Sequence, residues 1–450
     1  MPRTLEQAKG AGLLDRFFGL TARGTDVRTE VVAGFTTFLT MAYIVAVNPS
    51  ILGQAGMPMA GVAAATCLAA GFASILMGLV SNYPLALAPG MGLNAYFTFT
   101  VVKGMGVPWP TALGCVFLSG ALFLLLTLTG ARRLIVSAIP RPLFAAVAAG
   151  VGLFIAFIGL KDAGIIVADP GTTVALGDLT QPPAMLALGG LVLIAALQAW
   201  KVKGAMLIGI LFTAAAGWAI GLVHFQSAAY QLDDLASTAF KLDIGGALNL
   251  QGNVGLALLE IVFVFLFVDV FDNVGTLVAV TKKAGLTAED GSIPRLNRVL
   301  LADSTATMVG ALAGTSTVVS YIESASGVTA GGRTGLTSVV TGLLFLAAMA
   351  FAPLAAAIPT AATSPALVLV GAMMMSGLGE IDWSDPEVAV PAFLTAITIP
   401  LTYSIADGLA FGIVSYAALR LLRGHARRGD VLLYVLAVLF VVRFAYLARA

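Results

Sequence analysis

The sequence predicts an all-α polytopic membrane protein with fourteen membrane segments, arranged as two inverted repeats of seven. The first observation is composition, because 59% of the 450 residues are hydrophobic and only 10% are charged. Soluble domains carry about 25% charged residues, so this chain cannot cover a water-facing surface. The second observation is that the apolar runs are about twenty residues long and do not alternate as barrel strands do. The third is that short motifs of the first half recur in the second.

Polar breaks between the apolar runs define the predicted segments. In the first half they are 29–48, 60–80, 87–103, 109–130, 138–160, 184–200 and 204–223. In the second half they are 255–281, 297–313, 316–331, 334–352, 363–379, 387–404 and 405–422. The final run, 431–447, is shorter and contains Arg443. We interpret it as a packed or interfacial helix and leave open whether it spans the membrane.

The repeat is visible in motifs that keep the same order in both halves. The matched motifs are Ser119-Gly120 with Thr341-Gly342, Ile139-Pro140 with Ile358-Pro359, and Gly209-Ile210 with Gly412-Ile413. Because seven is an odd number, the second copy enters the membrane from the opposite side and the halves are inverted. The predicted repeats are 29–223 and 255–422, flanked by terminal segments 1–28 and 423–450.

Basic residues determine the predicted orientation, since cytoplasmic loops carry an excess of Lys and Arg. With the N-terminus inside, only Lys103, Lys161 and Lys241 fall outside. The inner side then collects Arg132, Arg133, Arg141, Lys201, Lys203, Lys282, Lys283, Arg295, Arg298, Arg333, Arg420, Arg423, Arg427 and Arg428. Both terminal segments are therefore predicted to be cytoplasmic, in a multi-pass protein of the inner or plasma membrane.

Charge and cysteine content exclude several other classes of protein. The formal net charge of +1 argues against nucleic acid as a partner. The two cysteines, Cys67 and Cys115, lie inside apolar runs, so neither a disulfide framework nor a cysteine metal site is expected. The sequence predicts no metal and no cofactor.

Segments 3 and 10 contain residues that interrupt a helix. In segment 3, Pro89 removes a backbone donor, while Gly90 and Gly92 allow the chain to unwind. Segment 10 begins with a hydroxyl-rich, β-branched stretch that favours extended structure and puts Glu323 near the start of a half-helix. Interrupted segments at corresponding positions of two inverted halves indicate a transporter binding site near the membrane centre.

Segment 8 carries a polar stripe on an otherwise apolar helix. Asp269, Asp272, Asn273 and Thr276 fall within an arc of about 100°. Each carboxylate inside a membrane costs about 2.5–3.5 kcal/mol on insertion scales, so Asp269, Asp272 and Glu323 beside a broken helix indicate function.

Two other acids receive structural interpretations. Glu260, near the outer end of segment 8, is interpreted as an interfacial acid. Asp303 in segment 9 is expected to pair with Arg298 or with a hydroxyl rather than to contact substrate.

The longest motifs together resemble a known family. Residues 29–44 read TEVVAGFTTFLTMAYI and precede Asn48-Pro49, and residues 88–97 read APGMGLNAYF. Residues 267–276 read FVDVFDNVGT, and residues 314–324 read GTSTVVSYIES. These motifs resemble the AzgA-like purine permeases of the nucleobase–cation symporter 2 family, also called nucleobase–ascorbate transporters.

The resemblance implies a fold of seven plus seven inverted segments with a core domain and a gate domain. The core corresponds to 29–130 with 255–352, and the gate to 138–223 with 363–422. It further implies short strands in segments 3 and 10 that form the substrate site. Family members often pair through the gate domain, so a homodimer is also implied.

The resemblance also implies proton-coupled uptake of adenine, guanine or hypoxanthine, without ranking the three purines. An acid of segment 8, an acid of segment 10 and an asparagine of segment 3 carry recognition in the family. Here they match Asp269 or Asp272, Glu323 and Asn94. Related uracil and xanthine permeases have a differently spaced glutamate in segment 8, so the choice between the two aspartates stays open.

Purine chemistry agrees with these residue types. A carboxylate accepts two parallel N–H bonds from a purine edge, and half-helix amides near Gly92 donate to a purine oxygen or nitrogen. Ser324 completes the predicted substrate-binding set. We assign the ligand to Asp269 or Glu323 and the coupling proton to Asp272, with Asp269 and Glu323 as alternatives.

The same residues leave two rival functions open. The first is a sulfate or bicarbonate transporter of the same fold, which Glu323 opposes because a carboxylate repels an anion. The second is an intramembrane prenyltransferase-type enzyme, suggested by the spacing of Asp269 and Asp272. Such chemistry needs a second acidic motif and basic residues for diphosphate, and the span interiors contain neither. The chain is therefore predicted to be no enzyme.

Overall fold

The computed structural model describes residues 12–130, 140–222, 232–249, 252–287, 293–425 and 430–447. Within these ranges, nine helices are long and apolar enough to cross a membrane, and three further apolar helices are shorter. The prediction of an all-α membrane protein is confirmed. Predictions for residues 1–11, Arg132, Arg133, Ile139, Arg427, Arg428 and 448–450 fall outside the described residues.

The first half contains seven helical or broken segments in chain order. Segment 1 comprises Val27–Met41 and Ile44–Leu52, segment 2 Met59–Ser81, segment 3 strand β1 (Leu87–Pro89) with Met91–Ala95 and the π-helix Tyr96–Gly104, segment 4 Trp109–Thr129, segment 5 Arg141–Asp162, segment 6 Pro182–Ala199 and segment 7 Ala205–Ala219. An antiparallel hairpin of β2 (Ile166–Asp169) and β3 (Thr173–Leu176) joins segments 5 and 6.

The second half follows the same plan. Segment 8 is Gly252–Lys283, segment 9 Leu296–Ala313, segment 10 strand β4 (Val318–Ser320) with Ser324–Thr329, segment 11 Gly335–Ala348 continued by Ala352–Ala356, segment 12 Thr360–Met374, segment 13 Pro386–Thr402 and segment 14 Ile405–Leu422. A C-terminal helix spans Val431–Leu447, and short helices lie at Leu13–Phe18, Leu232–Ala236 and Ile244–Ala247.

Local sequence explains where several helices begin. Asp26 caps segment 1 by accepting a bond of 2.8 Å from the Thr29 amide. Ser404 caps segment 14 in the same way, with 3.1 Å from the Asp407 amide to its hydroxyl. Prolines occupy the first turn of segments 4, 5 and 6, where the missing amide hydrogen has no helical partner to lose.

The segments pack into two groups. Segment 11 lies on segments 1 and 2, and segment 9 lies on segments 2 and 4. Segments 12 and 13 lie on segment 5, and segment 6 lies on segments 7 and 12. Glycines allow the closest approaches, since a Cβ at Gly335 would come within 2.0 Å of the Gly78 oxygen and one at Gly371 within 2.3 Å of the Gly152 oxygen. The first group contains segments 1, 2, 4, 9 and 11, and the second contains segments 5, 6, 7, 12 and 13.

Two strands connect the halves inside the first group. β1 pairs with β4 in antiparallel register, with Leu87 opposite Ser320 and Pro89 opposite Val318. All six strand residues are buried. The short strands expected in segments 3 and 10 are thus present, and they are hydrogen-bonded to each other.

The C-terminal helix differs from a simple cytoplasmic segment. It runs antiparallel to segment 14 and contacts it along its length, with Asp430 bound to Arg420 near one end and Arg443 bound to Asp407 near the other. Of the two interpretations given for 431–447, the packed helix is therefore the one that describes its contacts.

Candidate substrate site

The site is built around the strand pair, which leaves the two interrupted segments side by side. Beyond the strands, the Gly90 amide donates to the Thr317 oxygen at 2.9 Å and the Tyr321 amide to the Ala86 oxygen at 3.0 Å. Ser74 of segment 2 bonds both backbone groups of Leu87. Short helices leave both strands, so backbone that would be unacceptable in lipid is satisfied within the protein.

Glu323 follows the last residue of β4, Ser320, by three positions and directly precedes the helix Ser324–Thr329. Its side chain is partly exposed, and its Oε1 accepts a hydrogen bond of 2.8 Å from the Tyr43 hydroxyl of segment 1. Tyr321 donates its own hydroxyl to the Pro89 oxygen at 2.5 Å. One buried tyrosine therefore orients the carboxylate, and a second one holds the strands together.

Asp272 of segment 8 lies within electrostatic range of Glu323. It is partly exposed and accepts no hydrogen bond from any described residue. Two carboxyl groups with free acceptor positions therefore approach the same space beside the strand pair.

Asp269 lies one turn earlier and is in a different environment, because it is only 1% exposed. Its Oδ1 accepts from the Asn273 amide at 2.7 Å and its Oδ2 from the Thr307 hydroxyl at 3.2 Å. The same Asn273 accepts a hydrogen bond of 2.7 Å from the Ser320 amide of β4. Asp269 is thus packed behind the strand pair rather than beside Glu323.

Asp303 of segment 9 belongs to this buried network, contrary to the sequence interpretation. Its Oδ2 accepts from the Asn273 amide at 2.5 Å, and no ion pair with Arg298 is present among the described residues. Its other oxygen, Oδ1, is buried and has no partner. The partner of Asp303 comes from segment 8, so residue spacing within segment 9 could not predict it.

Asn94 is fully buried and is held from two sides. It donates to Asn48 Oδ1 at 2.6 Å and accepts from the Ser316 hydroxyl. Asn48 in turn donates to Thr66 at 2.7 Å and to Thr315 at 2.9 Å. This chain of amides and hydroxyls connects segments 1, 2, 3 and 10, so Asn94 positions the strands.

Ser324 and Gly92 also have structural contacts. The Ser324 hydroxyl is buried and accepts a bond of 3.0 Å from the Ala86 amide beside β1. Gly92 faces segment 5, where an added Cβ would come within 2.3 Å of Val151 Cγ1. Ser324 thus binds the neighbouring strand, and Gly92 allows close approach between the two groups of segments.

Comparison with known proteins identifies the family. A family model described as "Permease family" matches residues 28–411. The chain belongs to this permease family. It is 44% identical over 441 residues to the adenine permease AdeP of Escherichia coli, covering 98% of both chains. It is 45% identical to the guanine/hypoxanthine permease PbuG of Bacillus subtilis, covering 96% of this chain and 99% of the other. The resemblance to AzgA-like purine permeases is confirmed.

The solved structure of the transmembrane domain of the cyanobacterial bicarbonate transporter BicA has the same fold. It aligns with a TM-score of 0.62 at 15% identity, covering 84% of this permease and 97% of that domain. The predicted fold class is confirmed by this likeness. The permease is a transporter and no enzyme, as predicted.

Three residues of the permease site were not singled out in the sequence. Tyr43 and Asn48 lie in or next to the longest family motif, so the motif could have indicated them. Thr307 lies in no such motif, and its role appears only when segment 9 is packed against segment 8.

Proposed function

We propose that this permease takes up purine nucleobases together with protons across the cell membrane, by alternating access of a core against a gate. The observation that carries the proposal is the pair of partly exposed carboxyl groups, Asp272 and Glu323, beside the strand pair. The adenine and guanine/hypoxanthine permeases that match nearly the whole chain support a purine as the substrate.

Asp272 and Glu323 are the proposed substrate acids. A purine presents N–H donors on its edge, and a carboxylate accepts two of them at once. Glu323 accepts from Tyr43 and from its own backbone amide, and a carboxylate has about four acceptor positions, so positions remain for the ligand. This assignment moves the segment 8 ligand from Asp269 to Asp272, because Asp269 is only 1% exposed and both of its oxygens already accept, from Asn273 and Thr307.

Asp269 and Asp303 are the proposed proton carriers. Both are almost fully buried, and both bind the same Asn273 amide nitrogen. That nitrogen has two hydrogens, and no described cation pairs with either acid. Two negative charges so close together in a low-dielectric site repel strongly, so the pair holds a proton when substrate is absent.

Asn273 is the proposed link between proton and substrate. Its amide nitrogen donates to both acids, while its oxygen accepts a hydrogen bond from the Ser320 amide of β4. Because only Tyr321 and Ile322 separate β4 from Glu323, a change in the protonation of the acid pair alters the position of a proposed substrate acid. Coupling then needs no direct contact between proton and purine.

The two packed groups of segments support alternating access. Within each group, glycine contacts bring backbones too close for independent sliding. Between the groups, Gly92 meets Val151 close to the substrate site, so a moving core would carry the site past segment 5. The homodimer implied by the family resemblance remains a prediction, as does a cytoplasmic N-terminus.

An inorganic anion is the weaker candidate substrate. The bicarbonate transporter BicA is only 15% identical to this permease, so the likeness supports the fold and not the substrate. Two carboxyl groups at the strand pair would repel sulfate or bicarbonate.

The test uses purified permease in proteoliposomes with an imposed pH gradient and an internal pH dye. Adenine, guanine and hypoxanthine are added singly, with sulfate and bicarbonate as comparisons. At least one purine should drive proton entry and accumulate, and Glu323→Gln should abolish both signals. Asp169→Asn, an exposed acid of the β2–β3 hairpin, is the matched control and should transport normally. Sulfate-driven or purine-independent transport would contradict the proposal.

A further inference from the structure

The C-terminal helix is aligned with segment 14 by an ion pair near each end. Arg420 Nε lies 2.8 Å from Asp430 Oδ2, and Arg443 Nη1 lies 2.7 Å from Asp407 Oδ1. Thirteen residues separate the two pairing positions on each helix, which corresponds to a rise of about 20 Å. Segment 14 is apolar and long enough to span a membrane. A helix that follows it antiparallel over that distance crosses most of the same layer.

The outward side of the C-terminal helix suits lipid. Its most exposed residues are apolar, and they are Val431, Val435, Val438, Leu439, Val441 and Val442. Its other side contributes Leu433, Ala437 and Phe440 to the main hydrophobic core. The chain therefore returns to the face at which segment 14 begins, which is the predicted outer face.

Arg443 is brought to that face and meets acids from two different segments. It binds Glu260 of segment 8 twice, with Nη2 at 2.6 Å from Oε1 and Nε at 2.7 Å from Oε2. Its third nitrogen binds Asp407 of segment 14. Segment 8 belongs to the proposed core and segment 14 to the proposed gate, so one guanidinium connects the two. Glu260 is thus an ion-pair partner inside the protein, which the sequence interpretation as an interfacial acid missed.

Other polar bonds between core and gate lie at the same face. Gln54, after segment 1, donates to Asp162 at the end of segment 5 at a distance of 2.8 Å. The Thr100 hydroxyl of segment 3 donates to the backbone carbonyl oxygen of Tyr403, just before segment 14. The core and gate are therefore closed against each other at this end of the molecule.

We propose that the C-terminal helix crosses the membrane and that Arg443 is a positioning residue that latches the core to the gate at the predicted outer face. The inference rests on the proposed alternating access. Opening this face separates Glu260 from Arg443, which leaves Glu260 without its described partner in a low-dielectric region while Arg443 keeps only Asp407. The latch therefore favours the state in which the outer face is closed, and it must release before substrate enters from that side.

The latch is tested without substrate, so its outcome is separate from that of the transport assay. Spin labels are placed on Met105→Cys, at the core side, and Thr172→Cys, at the gate-side hairpin, with Cys67 and Cys115 replaced by Ala. Both labelled positions are exposed. Distance distributions measured by electron resonance in lipid then report how often this face opens.

Arg443→Gln and Glu260→Gln should each raise the long-distance population about fivefold or more, as expected for loss of a bidentate, partly buried ion pair. Arg443→Lys keeps the charge and should recover at least half of the closed population. Arg423→Gln is the matched control, because its ion pairs with Asp385 and Glu387 stay within the gate. If Arg443→Gln does not insert, Glu260→Gln alone decides. Unchanged distances in the inserted Gln variants, or no difference between Arg443→Lys and Arg443→Gln, would overturn the latch.

The membrane crossing has its own readout. An epitope tag appended after residue 450 should bind antibody on intact cells, whereas a tag before residue 1 should require permeabilisation. A C-terminal tag that also requires permeabilisation would show that the helix returns to the inner face and would refute the crossing.

Discussion

Two sets of acids lie inside the membrane-spanning part of the permease, and they differ in their partners. Glu260 and Asp407 share a permanent cation, Arg443. Asp269 and Asp303 share only a neutral amide. An acid held by arginine forms a charge-assisted bond that can act as a mechanical link. An acid held by an amide can gain or lose a proton while keeping its partner. The nature of the partner, rather than burial alone, therefore separates the two roles.

The largest effect is expected for the acids that have free acceptor positions. Asp272→Asn and Glu323→Gln should each weaken purine binding by about 30–100-fold, because each removes a charge-assisted bond to the ligand. Equilibrium binding of radiolabelled purine to purified protein measures this. Asp382→Asn, at an exposed loop acid, serves as the control. Near-normal affinity in both variants would remove these residues from the substrate site.

A smaller and different effect is expected for the amide-held pair. With a pH gradient of one unit, a one-proton symporter accumulates substrate about tenfold. Asp303→Asn should lower accumulation to about onefold while exchange of internal for external purine continues. Counterflow and gradient-driven uptake in the same proteoliposomes separate the two activities. If exchange is lost together with accumulation, Asp303 supports binding and the proposed division between proton and ligand acids fails.

The arginine-held acids should change speed and leave coupling intact. Glu260→Gln should alter the maximal uptake rate by about three- to fivefold with little change in KM, because the latch is remote from the ligand. Accumulation under the one-unit gradient should stay near tenfold, in contrast to Asp303→Asn. A Glu260→Gln variant that transports but fails to accumulate would erase the distinction between the two sets of acids.

The smallest effect is expected for Asp407, whose bond to Arg443 joins segment 14 to the C-terminal helix and so lies within the proposed gate. Asp407→Asn should change the uptake rate by about twofold or less, as for most partly exposed ion pairs. Initial uptake rates measured beside Glu260→Gln make the comparison direct. Equal effects from the two substitutions would mean that Arg443 acts as one structural cluster and not as a connection between two bodies.

Hydropathy and residue spacing predicted most of the fold, because membrane helices must be long, apolar and free of buried polar backbone. They also predicted the polar face of segment 8. They could not distinguish the two aspartates on that face, since Asp269 contacts segment 9 whereas Asp272 lies near Glu323 of segment 10. The two aspartates are one turn apart in sequence, yet their neighbours come from different parts of the chain. Only the packing distinguishes the proposed proton acid from the proposed ligand acid.

Long-range partners account for the other misassignments. The sequence interpretation pairs Asp303 with Arg298 or with a hydroxyl, although the separation of five residues from Arg298 to Asp303 places their side chains about 140° apart around the helix axis. Its real partner is Asn273, thirty residues earlier. Arg443 is a charged residue in an apolar run, but the sequence does not indicate its partner, because its bond to Glu260 joins positions 183 residues apart. Sequence periodicity describes one helix and carries no record of which helix lies beside it.

The pairing of β1 with β4 has a consequence for how the chain is made. The ribosome synthesises β1 long before β4, because Pro89 of β1 pairs with Val318, which lies far later in the chain. At about 5–20 residues per second, the interval is roughly 10–50 s. During that time the amides and carbonyls of β1 have no strand partner, although they lie at a depth where lipid offers none. The first half therefore cannot finish folding as it is inserted. During biosynthesis of this permease, the unpaired backbone of β1 must therefore be shielded from lipid until β4 is made and pairs with it.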